Sequence, residues 1–166
     1  SAGAKYWQHP TGWQDVINYL NDNGYKVVQI SKEKHNDNWE NRKLPLGRPF
    51  KNIIDKTGNI PMDDIINLIH HSELYIGVSS GLAWLSWALK KQVVMISGFS
   101  SDWTEFTTNI ERIINKDVCN SCFNNFKLDA SDWDWCPVHK DTSRQFECTK
   151  KILPETVIEG ITRSLV

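Results

Sequence analysis

Apolar residues recur along this chain with two spacings that alternate from one segment to the next. Trp13, Val16, Ile17 and Leu20 lie at i, i+3, i+4 and i+7, which is the spacing of one face of an amphipathic helix. The following β-branched run at 25–30 predicts a strand. Similar patterns predict further helices beginning at residues 61, 82 and 154, further strands at 74–78, 93–96 and 112–114, and mostly loop over 31–60.

This alternation of helices and strands predicts an α/β fold in which helices cover both faces of a parallel sheet. The predicted strands are short, continuous apolar runs such as Val93–Ile96, as expected for parallel strands that are buried on both faces. From residue 115 the periodic pattern gives way to cysteine, asparagine, aspartate and tryptophan. A length of 166 residues therefore favours one domain with a small irregular appendage.

Composition and charge exclude two classes of protein. Basic residues number 19 and acidic residues 20, for a net charge of −1, so binding of nucleic acid through bulk positive charge is excluded. The longest aliphatic run, Val93–Ile96, is far shorter than the roughly 20 apolar residues of a membrane span. We expect a protein without a membrane span, and we interpret its first dozen residues as the interior of a longer protein's domain.

The four cysteines all lie in the irregular segment. Cys119 and Cys122 form a C-x-x-C pair, and Cys136 and Cys148 follow at longer spacing. A metal site with four sulfur ligands would suit zinc or a mononuclear iron centre. Two disulfides or free thiols are the alternatives, but nothing in the sequence indicates an oxidising compartment. We favour the metal site, in which the metal would order a segment that has few aliphatic residues.

A second candidate site is the turn Ser79-Ser80-Gly81-Leu82, which leads from a predicted strand into a predicted helix. The N-terminus of a helix offers unpaired N–H groups and a partial positive charge, which suit a phosphate or pyrophosphate. Parallel sheets bind ligands at the carboxyl ends of their strands. The alternative is that Ser80 only caps the helix.

These segments, taken in order, resemble the C-terminal half of ADP-heptose glycosyltransferases of the GT-B fold. Lipopolysaccharide heptosyltransferases typically carry Asp-Ser/Thr-Gly-x-x-His at the turn, whereas here Ser79 replaces the Asp and Trp84 the His. The closer resemblance is to the bacterial autotransporter heptosyltransferase family and its four-cysteine iron-binding finger. The motifs that carry the resemblance are Ala-Lys-Tyr-Trp at 4–7, Asp-Lys-Thr-Gly-Asn at 55–59, Gly-Val-Ser-Ser-Gly-Leu at 77–82, Cys-x-x-Cys at 119–122, Asp-Trp-Asp-Trp-Cys-Pro at 132–137 and Arg-Gln-Phe-Glu-Cys-Thr at 144–149.

The resemblance covers essentially the whole chain and implies its organisation. Residues 1–115 would form a Rossmann-like half-domain that binds a nucleotide sugar, and residues 116–150 a four-cysteine metal finger. Residues 151–166 would form a closing helix packed on the Rossmann-like domain. A further strand is expected immediately before Ser1.

The resemblance also implies a function. Such enzymes transfer heptose from an ADP-heptose donor to serine hydroxyls of the passenger domain of an autotransporter adhesin, in the bacterial cytoplasm. One iron per chain, with zinc as the alternative, would be bound by the four cysteines, and the full-length protein would be a homo-oligomer. The catalytic base would belong to the other half of the enzyme, so this chain alone is expected to be inactive.

Donor-binding residues follow from the same resemblance. Lys5 matches the family's lysine that contacts the donor phosphates, and the turn at Ser79, Ser80, Gly81 and Leu82 would receive the pyrophosphate. Glu33 would bind the ribose hydroxyls, and backbone at 58–60 would border the adenine.

Three other functions are weighed against this one. The cysteine segment could mediate oligomerisation or hold the acceptor protein. Its aromatic residues would then lie at the interface, although packing around the metal accounts for them equally well; they are Trp133, Trp135, Phe123 and Phe126. The chain could instead belong to a lipopolysaccharide heptosyltransferase. A zinc-ribbon nucleic-acid binder is disfavoured, because residues 119–148 carry more acidic than basic side chains.

Overall fold

The computed structural model describes residues 3–32 and 50–166. Among these residues, no helix combines the length and the apolarity needed to cross a membrane. The strands are β1 (Val28–Ser31), β2 (Ile54–Thr57), β3 (Leu74–Val78), β4 (Gln92–Ile96) and β5 (Ile110–Ile113). The helices are α1 (Gly12–Asp22), α2 (Met62–His70), α3 (Gly81–Ala88), α4 (Glu147–Lys150) and α5 (Pro154–Ser164), with short 3-10 turns at Gly3–Lys5 and Asp102–Thr104.

All described strand pairs are parallel, which confirms the predicted α/β fold with parallel strands. One sheet has the order β3-β4-β5, and β1 pairs with β2 in a second sheet. Central strand β4 is the most buried, because Val93, Val94, Met95 and Ile96 are at most 1% exposed. This burial explains why β4 is a continuous apolar run without alternating polar residues.

The main core lies between the three-stranded sheet and helices α1 and α5. It contains residues of α1, β4, β5 and α5. Trp7 is fully buried in this core, and its indole Nε1 donates a hydrogen bond of 2.9 Å to the carbonyl oxygen of Ile152. Helix α5 packs against α1, β4 and β5 in this core.

Strand β2 falls in the region that the sequence pattern predicts as loop, so that prediction is wrong for residues 54–57. The strand contains one aliphatic residue, Ile54, and its first three residues are exposed. Its conformation is set by parallel pairing with β1, in which Ile54 lies opposite Val28 and Thr57 opposite Ser31. Pairing with a distant segment leaves no signal in local hydrophobic periodicity.

Candidate functional site

An open cleft of about 1630 Å³ lies between β1 of the smaller sheet and β3 of the larger one. The 3-10 turn at Gly3–Lys5 contributes Lys5 to its lining, and the loop between β3 and α3 contributes Ser79, Ser80, Gly81 and Leu82. The structure thus brings five of the predicted donor-binding residues to one cleft, although Lys5 is more than 70 positions away from the turn.

The turn from β3 to α3 has a geometry set by Ser80. This residue is the N-cap of α3, with extended backbone, and its hydroxyl accepts a hydrogen bond of 3.4 Å from the backbone N–H of Ala83. Ser80 is therefore a helix cap, as the alternative interpretation of the turn states. The cap accepts one N–H group, so other first-turn N–H groups remain directed out of the helix end.

Gly81 leaves the backbone at the start of α3 uncovered on the side of the cleft. A Cβ added at this position would meet no heavy atom within 4 Å. The backbone at Gly81 is thus accessible to a ligand, since no neighbouring side chain covers it.

Tyr75 of β3 lies against Gly77 of the same strand and forms a hydrogen bond with Ser80 of the turn. A Cβ added at Gly77 would meet the Tyr75 hydroxyl oxygen at 2.6 Å, so the missing side chain at Gly77 makes room for the ring. Burial raises the pKa of the Tyr75 phenol, and its hydrogen bond with Ser80 lowers that pKa to a smaller extent. Tyr75 consequently stays neutral and fixes the side chain of Ser80.

The opposite wall of the cleft comes from β1, β2 and the residues that follow β2. Asn59 and Ile60 line this wall, next to Gly58, whose φ of +105° favours glycine. They belong to the stretch 58–60 that the sequence predicts near the adenine. Glu33, the predicted ribose ligand, lies outside the described residues.

The four cysteines are all reduced, and they differ in exposure. Cys136 and Cys148 are buried, whereas Cys119 and Cys122 are partly exposed. Burial, followed by repulsion from the other three thiols, raises the pKa of Cys148 to about 12. Burial and then the neighbouring Glu147 carboxylate raise the pKa of Cys119 to about 11. These mutual effects show that the four thiols lie in one neighbourhood.

The ligand atoms that lie closest together differ from the predicted four sulfurs. Among the described residues, the group within 4.8 Å of one another is the Cys119 sulfur, a His139 ring nitrogen and a Glu147 carboxylate oxygen. A coordination shell of Cys119, Cys122, Cys136 and Cys148 is therefore not formed in this structure. Cys136 packs in a small apolar core with Phe99, and Cys122 lies against the same core.

Glu147 is the charged centre of this segment, and sequence reasoning missed it. Its carboxylate accepts two hydrogen bonds from the Arg144 guanidinium, at 2.5 and 3.0 Å. The Arg144 hydrogen bonds, ahead of an opposing effect of burial, lower the pKa of Glu147 to about 2. Glu147 therefore remains ionised beside Cys148, and it also lies 3.7 Å from the His139 ring.

A second polar network that sequence reasoning missed follows strand β4. Arg112 on β5 forms an ion pair of 2.7 Å with Glu105 and donates a hydrogen bond of 2.8 Å to Ser97. Ser100 donates a hydrogen bond of 2.9 Å to Glu105. The position of Ser97 directly after an apolar strand is the one sequence signal that indicates a polar network at this edge.

Comparison with known proteins gives one family and several relatives. The profile of glycosyltransferase family 9 (heptosyltransferase) matches residues 1–128. The chain is 41% identical to the autotransporter heptosyltransferase Aah of Escherichia coli and covers 41% of its length. It is 42% identical to the autotransporter heptosyltransferase TibC of E. coli and covers 39% of that protein. The chain thus spans about two fifths of the relatives it matches.

Two solved structures are similar to the fold described above. The first is the dodecameric iron-containing heptosyltransferase TibC in complex with ADP-D-beta-D-heptose, with a TM-score of 0.84 and 37% identity over 98% of this chain and 42% of that one. The second, E. coli ADP-heptose lipopolysaccharide heptosyltransferase II, has a TM-score of 0.62 and 18% identity over 99% of this chain and 43% of that one. The second comparison supports the fold alone.

Proposed function

The chain belongs to glycosyltransferase family 9 (heptosyltransferase), and from this we propose that it is the donor-binding part of a protein O-heptosyltransferase. The donor is ADP-heptose, and the acceptors are serine hydroxyls of an autotransporter adhesin. The relatives that support this choice are autotransporter heptosyltransferases at 40–42% identity. A lipopolysaccharide acceptor is the weaker alternative, since the compared lipopolysaccharide enzyme is 18% identical.

The observation that carries the proposal is the single cleft that contains both Lys5 and the turn at 79–82. Transfer of the sugar leaves ADP with a developing negative charge. A lysine ammonium group and the N–H groups at the start of α3 would stabilise that charge in the transition state. Ser79 and Ser80 contribute hydroxyl groups to the same turn.

These residues bind and orient the donor, and none of them is proposed as the catalytic base. A base must reach the acceptor hydroxyl within hydrogen-bond distance, and we assign it to the rest of the full-length enzyme. The other proposed donor contacts are the backbone at 58–60 for the adenine and Glu33 for the ribose.

We assign residues 1–115 to a Rossmann-like half of a GT-B enzyme, completed by one more strand between β1 and β3. Both strands line the cleft. The Ile54 N–H donates to the Val27 carbonyl oxygen, so the backbone polar groups of Val27 face β2. Successive residues of a strand direct their backbone N–H and C=O groups to opposite sides, and those of Val28 and Ile30 therefore face away from β2. Among the described strands, none pairs with these groups. A parallel strand in the cleft would pair with β1 and β3 and join the two sheets.

The rest of the chain we assign to a metal finger at 116–150 and a closing helix at 151–166. Helix α5 contacts α1, β4 and β5, which supports its assignment as part of the same core. The metal ligands proposed for the finger are four thiols that lie near one another, and thiol ligands suit iron or zinc. Cys119, Cys122, Cys136 and Cys148 would hold one iron, which supplies a structural cross-link when bound.

Assembly of a homo-oligomer is a second role for the same segment. Phe126 and Leu128 are exposed in it, at 47% and 39%, and TibC is described as dodecameric. Trp135 does not support this role, because it is 6% exposed and packs in the core of the segment.

Replacement of Gly81 tests the donor site in the full-length protein. The Gly81→Leu side chain would begin in open space at the cleft, because an added Cβ meets no atom within 4 Å. We expect the affinity for ADP, measured by calorimetry, to fall at least about tenfold, since the leucine occupies the phosphate position. The control is Thr156→Leu, which adds an apolar side chain at an exposed position of α5. Unchanged ADP affinity in Gly81→Leu would refute the proposed site.

A further inference from the structure

The cysteine segment contacts the donor cleft through the turn that carries Lys5. The backbone N–H of Gly3 donates a hydrogen bond of 2.9 Å to the Trp133 carbonyl oxygen. Ala4 is 3% exposed and packs in the same small core as Phe99, Trp135 and Cys136. The residues immediately before Lys5 are therefore fixed by the segment 119–148.

Lys5 itself is in contact with an aromatic ring of that segment. Its Nζ lies 5.4 Å from the centroid of the Phe123 ring, within the range of a cation–π interaction. Among the described residues, Lys5 forms no ion pair with a carboxylate. An aromatic face attracts the ammonium group without taking up its three N–H donors, which remain directed toward other acceptors.

Phe123 is held rigidly in turn. Its ring lies 5.3 Å from that of Phe99, whose side chain is 3% exposed, and its backbone N–H donates a hydrogen bond of 3.0 Å to the Phe99 carbonyl oxygen. Phe99 follows strand β4 and also contacts Trp135 edge-to-face. Phe123 is also the residue after Cys122. Its ring therefore has a fixed position relative to the sheet.

We propose that Phe123 is a positioning residue for donor binding: its ring orients the Lys5 ammonium group toward the phosphates of the bound nucleotide. This inference rests on the proposed function, because Lys5 is the phosphate contact there. It gives the cysteine segment a direct part in donor affinity, in addition to stabilising the fold. The ring acts through Lys5 and does not itself touch the nucleotide.

The test measures ADP affinity in the full-length protein by calorimetry. Phe123→Leu keeps an apolar side chain but removes the aromatic face, and we expect ADP to bind about three- to tenfold more weakly. Phe123→Tyr retains the face and should retain the affinity. Trp103→Leu removes an aromatic side chain at an exposed position that does not line the cleft, and it should leave ADP affinity unchanged.

A double-mutant cycle separates positioning from a general structural role. Once Lys5→Met has removed the ammonium group, a further Phe123→Leu change should not weaken ADP binding any more. An equal loss in both backgrounds, or a lower melting temperature and metal content in Phe123→Leu, would overturn the inference by showing a structural role. Wild-type binding that is insensitive to Phe123→Leu would overturn the inference alone. Failure of the wild-type protein to bind ADP would overturn the proposed function and the inference with it.

Discussion

Two arginine–carboxylate pairs of this protein differ in burial, and burial determines how much each pair contributes to the stability of the fold. Arg112 and Glu105 lie 2.7 Å apart with side chains that are 15% and 2% exposed, whereas Arg163 and Glu111 lie 2.6 Å apart with side chains that are 56% and 28% exposed. The distances are similar, but water screens the second pair and not the first. Loss of one partner in the buried pair would leave an uncompensated charge on the other.

Arg112→Met should therefore lower the free energy of unfolding by about 3–5 kcal/mol, because it leaves the Glu105 carboxylate buried without its cation. Arg163→Met is the matched control, and it should cost about 1 kcal/mol or less because the pair is exposed. Urea denaturation of both variants under the same conditions checks the comparison. Equal losses in the two variants would contradict the assignment of Arg112 to a buried ion pair.

Individual donor-site residues could be predicted from the sequence only where a motif marked them. The turn at Ser79–Leu82 has a signature, namely small residues between a strand and a helix, and the structure places it at the cleft. Lys5 is one of many surface lysines by its local sequence, and only the family resemblance singled it out. The Phe123 ring was missed as a partner of Lys5 because the two residues are distant in sequence. Glu147 was missed because its contacts with Arg144 and His139 depend on the conformation of an irregular segment that has no periodic pattern.

At the scale of elements, the loop after β4 is packed directly against α4. A Cβ added at Gly98 would clash with the Cys148 carbonyl oxygen, which is backbone and cannot move aside as a flexible side chain would. The Gly98 carbonyl oxygen also accepts a hydrogen bond of 2.9 Å from the Ser121 N–H. One glycine thus brings together the two ends of the cysteine segment.

Gly98→Ala should push α4 away from β4 and displace Cys148 from the other thiols. We expect the iron content of the purified full-length protein to fall below one per chain, and the free energy of unfolding to fall by about 1–3 kcal/mol. Elemental analysis and thermal unfolding provide the measurements. Gly81→Ala is the control, since an added Cβ there meets open space. A full complement of iron in Gly98→Ala would contradict this account of how Cys148 is positioned.

Elements with strong internal periodicity were predictable, and those that depend on pairing were not. Helix α1 buries Val16, Ile17 and Leu20 of its predicted face, and strand β4 buries its whole predicted apolar run. Strand β2 has an exposed, mostly polar sequence and exists because β1 lies beside it. The finger was predicted from cysteine spacing, but spacing does not determine which ligand atoms lie closest together, and Cys119, His139 and Glu147 form that group here.

At the scale of the whole molecule, the two separate sheets are the main architectural feature. Strands β1 and β3 line one cleft from opposite sides. Their apolar residues include Val28 at 38% exposure and Ile76, which is half-buried. An apolar strand between them would cover both.

Amide hydrogen exchange tests the proposed central strand. In the full-length protein, the amides of Ile30 and Ile76 should be strongly protected, because their N–H groups would be hydrogen-bonded in the middle of one sheet. In the isolated chain the same amides should exchange at least about 100-fold faster, while Val94 in β4 stays protected in both. Equal exchange of Ile30 in the two proteins would show that no strand occupies the cleft.

The hydrogen bond between Trp7 and the Ile152 carbonyl oxygen joins residues that are 145 positions apart. A contact of such high sequence separation closes a long loop, and the chain entropy of that closure is lost before the contact is gained. On the ribosome, residue 152 emerges long after the turn at Gly3–Lys5 has been synthesised. The turn at Gly3–Lys5, close to Trp7 in sequence, therefore gains this packing only after residue 152 has been synthesised.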